Sequence, residues 1–137
     1  MPMSAGLITV IVTIATYLIM VAGFFLSGRR RVHITIMATV MVYDLLMPFY
    51  LFLTRDWYAR LIGHEDILTF GVWMHFMVVL VLYVLYVFQI LAARKILADP
   101  HAAAARREHR QQAIAILLVR AFVIFTGALL VNPEYEK

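Results

Sequence analysis

The sequence predicts an all-α membrane protein, with four transmembrane helices in a compact bundle and both termini outside. Three observations carry this reading. Hydrophobic residues make up 64% of the 137-residue chain and charged residues 15%, against roughly 45–50% and 25% in soluble domains; a soluble protein this short could not hide so much apolar surface. The apolar residues fall into four stretches, 6–26, 33–53, 68–92 and 113–131, each near the roughly 20 residues that span a bilayer. The basic residues are asymmetric. Arg29, Arg30, Arg31, Arg94, Lys95, Arg106, Arg107 and Arg110 flank the connections after the first and third stretches, whereas Arg55, Arg60 and Lys137 fall on the other side. That imbalance places the two basic connections in the cytoplasm. The whole chain, 1–137, reads as one membrane domain.

The first stretch is longer than the core of a cleaved signal peptide. No basic residue precedes it and no A-x-A-like site follows it before the arginines, so it is expected to be retained. Thr9, Thr13, Thr16 and Gly23 lie along one face, where small and hydroxyl residues let helix backbones approach. The second stretch opens at His33, directly after the arginine run, and carries Asp44 and Pro48. A proline four residues on cannot donate to the carbonyl of residue 44. Asp44 therefore offers a carboxylate and a freed carbonyl at mid-membrane depth, and both need partners in lipid.

In the outer connection, Trp57 and Tyr58 suit the membrane–water interface. Its mixed charges read as a solvated link, with His64, Glu65 and Asp66 as a weaker metal-binding candidate. The third stretch contains Trp73, Met74, His75, Met77, Tyr83, Tyr86 and Gln89. His75 and Tyr86 share a face, with Gln89 near it, and His75 falls somewhat outward of the Asp44 level. The following connection holds Pro100 and an alanine run that reads as a short surface helix. The fourth stretch has His109 at its mouth, Arg120 near its middle and Gly127 on the same face.

His33 and Asp44 are eleven residues apart, as are His109 and Arg120. Eleven helical residues make three turns plus about 20° and rise about 16 Å. Each pair thus puts a histidine at the cytoplasmic edge and a charge near the bilayer centre, where charged side chains are expensive and usually partnered. The middle layer is expected to hold a structural ion pair between Asp44 and Arg120, joined by His75 or Tyr86. Its functional alternatives are a proton path or an arginine clamp for an anion such as a haem propionate. The inner layer sets His33 and His109 at matched depth on parallel helices, an arrangement able to ligate haem iron. Met74 and Met77 beside His75 make a soft set suited to copper, although methionine more often fills apolar gaps.

Other classes are disfavoured. The chain has no cysteine, hence no disulfide, thiolate metal site or c-type haem attachment. No nucleophile–base–orienter set, P-loop, zinc-protease motif or paired acid–base carboxylates occur, so the sequence does not read as an enzyme. The net charge of +4 flanks membrane segments and is explained by topology and anionic headgroups; no nucleic acid partner is expected.

Three motifs, RRRVHITIMATVMVYDLL, VWMHFMVVLVLYVLYVFQILAARK and REHRQQAIAILLVRAFVIFTGALLV, span roughly 29–131. In them the chain resembles the small bacterial membrane proteins of the domain of unknown function numbered 420, the YozB- and CtaM-like proteins. The resemblance maps His33, His75 and His109 onto that family's histidines, and Thr126 and Gly127 onto its terminal turn of small residues. Asp44 and Arg120 are not part of it, and the chain is a compact version. It implies a role in maturing haem–copper terminal oxidases through haem or copper handling. The expected function is therefore an accessory or maturation factor, partnered by the bilayer and by another membrane protein of a respiratory complex. Cofactor ligation would fall to His33, His75 and His109. The alternatives are a bis-histidine haem-b electron carrier and a structural accessory subunit of a larger membrane complex.

Overall fold

Apolar length fixes the part of each helix that faces lipid, and the polar flanks decide how far the helix continues. A computed structural model of the chain describes residues 3–56, 58, 61–62 and 67–131. Four helices follow one another: α1 Ala5–Phe25, α2 Arg30–Thr54, α3 Ile67–Ala98 and α4 Ala103–Leu129. All are long and apolar enough to cross a membrane, and among the described residues there is no strand. The protein is a multi-pass helical membrane protein. Trp57, His64, Glu65 and Asp66 lie outside the described residues, as do Arg60 and Lys137.

Local chemistry sets the helix ends. Ser4 caps α1 by accepting the Leu7 N–H at 3.2 Å, which satisfies one of the donors a helix start leaves free. The short connection 26–29 is closed by the Arg29 N–H donating to the Leu26 carbonyl at 2.9 Å. α3 stops at Ala98 because Asp99 precedes Pro100, and the residue before a proline is driven out of the helical region. The Asp99 carboxylate then accepts the His101 N–H at 3.0 Å. At this end the helices outrun their apolar stretches. The alanine run expected as a separate surface helix is the first turn of α4. Residues 93–98 and 103–112 are mostly Ala, Leu, Arg, Lys, Gln and Glu, good helix formers that extend a helix already begun.

α1 packs against α2 and α4, and α3 packs against α4. α2 reaches α3 and α4 mainly through long side chains. Each helix contributes to the buried core: Met20, Val40, Leu82 with Tyr86, and Ile116. Outward, Leu18, Leu46, Leu118 and Leu129 are exposed, as expected where lipid covers the surface. α1 and α2 touch closely near the connection that joins them because residue 23 is glycine. A Cβ there would stand 2.7 Å from Cγ2 of Ile36 and 3.2 Å from Cε of Met37. Thr13 meets Tyr43 and Gly23 meets His33, so these two helices are antiparallel. His33 lies beside His109 and Asp44 beside Arg120, which requires α2 and α4 to run parallel.

Candidate functional site

Polar side chains occupy three levels inside the bundle. At the middle level Asp44 receives two hydrogen bonds from one guanidinium: Nε of Arg120 donates to Oδ2 at 2.8 Å and Nη2 to Oδ1 at 2.8 Å. Such two-pronged pairs combine charge with fixed geometry. Arg120 is only 1% exposed and the Asp44 side chain 10%. The Tyr86 hydroxyl also donates to Oδ2. Arg120 Nη2 donates further to the Thr16 hydroxyl at 2.7 Å, and its Cζ lies 5.9 Å from the centre of the Tyr17 ring, within cation–π range.

The carbonyl that Pro48 frees is also used. The Tyr83 hydroxyl donates to the backbone oxygen of Asp44 at 2.8 Å, replacing the bond that proline cannot make. All four helices therefore meet at this level, through Thr16, Asp44, Tyr83 with Tyr86, and Arg120. Of the two candidates for joining the ion pair, Tyr86 does so and His75 does not. This two-pronged pair ties α2 and α4 at one register, while Nη1 of Arg120 is buried without a hydrogen-bond partner among the described residues.

The inner level brings His33 and His109 together, with ring centroids 6.2 Å apart and planes at 69°. Nδ1 of His33 lies 2.8 Å from the Gly23 carbonyl. A carbonyl only accepts, so Nδ1 carries the proton and Nε2 keeps its lone pair. Metal-ligating histidines are commonly oriented in this way. Nε2 of His109 faces the Gln89 amide, with 3.4 Å between the nitrogens. Nδ1 of His109, Oε1 of Gln89 and Oε1 of Gln112 are buried with no hydrogen-bond partner among the described residues.

His75 belongs to a third, outer level. Its Nδ1 lies 2.8 Å from the Thr126 hydroxyl, which itself donates to the carbonyls of Phe122 and Val123 at 2.9 and 3.1 Å. Thr126 therefore accepts from Nδ1–H and leaves Nε2 of His75 as the open nitrogen. Gly127 lets the ring lie on α4, since a Cβ there would stand 3.2 Å from Cε1 of His75. Met74 and Met77 are exposed on the flanks while His75 turns inward. Among the described residues no three His, Cys, Asp or Glu side chains converge; the three histidines form a pair and a single.

Sequence reasoning did not single out Thr16 or Thr126 as partners, nor Tyr83 and Gln89 by role. Spacing carries part of that signal: Thr16 shares a face with Thr13 and Gly23, and Gln89 follows Tyr86 by one helical turn. No family model, curated protein or solved structure matches the chain.

Proposed function

We propose that this protein is an accessory or maturation factor of a haem–copper respiratory oxidase in a bacterial inner membrane, handling haem or copper through membrane-embedded histidines. The observation that supports it is the meeting of His33 and His109 at the inner end of the bundle, with His33 oriented by the Gly23 carbonyl. The middle level holds α2 and α4 in the register that keeps those two rings at one depth. His75, oriented by Thr126, is a second ligating position nearer the other end. The assignment to oxidase maturation rests on the motif resemblance, and the ligating role on the chemistry of paired imidazoles.

The test is deletion of the gene in its host, followed by the reduced-minus-oxidised spectrum and activity of the terminal oxidase. The wild-type gene is expected to restore both, and a His33→Ala/His109→Ala version is expected to restore neither. Normal oxidase in the deletion strain would reject the proposal. A structural accessory subunit is the second reading, favoured by how completely the Asp44 carboxylate and carbonyl are bonded. It predicts that the double histidine variant restores the oxidase fully.

A further inference from the structure

At the inner level, imidazoles with open nitrogens adjoin amide oxygens that are buried without hydrogen-bond partners among the described residues. Gln89 is 7% exposed, and its Oε1 has no hydrogen-bond partner among the described residues. In hydrocarbon an unsatisfied amide oxygen is costly, so its position calls for an occupant. The oxygen and nitrogen of an amide are interchangeable by a flip, which would bring Oε1 to Nε2 of His109 at the same 3.4 Å.

That spacing has a chemical meaning. Metal–nitrogen and metal–oxygen bonds of about 2.1 Å in tetrahedral geometry place neighbouring ligand atoms roughly 3.4 Å apart. Two imidazoles on one ion put their ring centroids roughly 5 Å apart at the tetrahedral angle and about 6.4 Å apart in line; the observed 6.2 Å lies near the in-line limit, so the two rings close by about 1 Å to share a tetrahedral ion. A porphyrin iron is a poorer fit. An atom 3.4 Å from Nε2 of His109 leaves no room for a macrocycle on that nitrogen unless Gln89 swings away.

We infer that His33, Gln89 and His109 form a binding site for a single borderline divalent transition-metal ion such as Zn²⁺ or Cu²⁺. Nε2 of His33, a ring nitrogen of His109 and Oε1 of Gln89 supply three ligands. Nitrogen and oxygen donors of this kind select borderline ions over soft Cu(I). Three protein ligands leave a fourth position open, as a site that must take up and release its ion requires. The flanking Arg30, Arg31, Arg106 and Arg110 are exposed and free to meet lipid phosphates, which screens their charge from the site. This inference rests on the reading that His33 and His109 are ligands, and replaces haem by a bare ion at that position.

The experiment titrates tag-free, detergent-purified full-length protein with Zn²⁺ by calorimetry and with Co²⁺ by visible absorption. One ion per chain is expected, with the intense visible bands of four-coordinate Co²⁺. His33→Ala and His109→Ala are expected to abolish binding, and Gln89→Leu to weaken it roughly 10–100-fold, on the scale of lost support at metal sites. His101→Ala, at an exposed histidine outside the site, should leave binding unchanged. Gln89→Glu, which offers a carboxylate in the same place, should tighten binding at least tenfold, a gain that a misfolded variant cannot mimic. Absence of binding to the wild type, or full retention in both histidine variants, would overturn the site. Stoichiometric haem lost with His33 would overturn it while leaving the proposed function standing. An ion bound as described, with normal oxidase in the deletion strain, would reject the function and keep the site.

Discussion

Removing one member of the Asp44–Arg120 pair strands the other among apolar side chains. Asp44→Asn or Arg120→Met alone is expected to cost about 3–5 kcal/mol, the usual scale for breaking a buried pair, read from unfolding in detergent. The double variant Asp44→Asn/Arg120→Met should cost clearly less than the sum of its singles; strictly additive costs would mean the residues are not coupled. The two charges were legible in the sequence because any ionised side chain within an apolar stretch stands out. Thr16, Tyr83 and Thr126 were not, since hydroxyls are common in membrane helices and only the assembled faces show which of them meet a partner. The choice between His75 and Tyr86 was open for the same reason. They share a helix face, and only the placement of α3 against α2 and α4 brings Tyr86 to Asp44 and His75 to Thr126.

Proline inside a membrane helix is tolerated when another donor takes the freed carbonyl, and in α2 that donor comes from α3. Tyr83→Phe should therefore destabilise the protein by about 0.6 kcal/mol and by no more than about 1.7, the average and the maximum found for side-chain hydrogen bonds between membrane helices. In a Pro48→Ala background, where the residue 48 N–H can make the bond itself, the same change should cost little. An equal cost in both backgrounds would disprove the link. Gly23 is a second control point. Gly23→Ala pushes a methyl into Ile36, and overpacking of this kind costs about 1–3 kcal/mol, whereas Gly28→Ala meets nothing within 4 Å and should be silent in the same unfolding assay. Hydropathy located all four helices but missed the extensions of α2, α3 and α4 at the His33–His109 end, because it measures the thickness of the hydrocarbon and not the length of the hydrogen-bonded backbone.

Taken as one object, the molecule sets polar levels at three depths into an apolar core, inside an apolar coat. The coat was readable from composition; the grading was readable only where charge or histidine marked it. Because the chain lacks cysteine, orientation can be tested cleanly with single Ser4→Cys and Ser27→Cys variants and a membrane-impermeant thiol reagent on right-side-out vesicles. Labelling of the first and protection of the second are expected from the basic-residue asymmetry, and the reverse pattern would invert the topology. The pairing of Asp44 with Arg120 also has a consequence for biosynthesis. The partners are 76 positions apart in the chain, so at about 5–20 residues per second the ribosome delivers Arg120 roughly 4–15 s after Asp44. During that interval the second helix holds a carboxylate whose guanidinium has not yet been made. Completion of the last helix is thus the step that gives the carboxylate its partner, and a chain truncated after the third should be a ready target for membrane quality control.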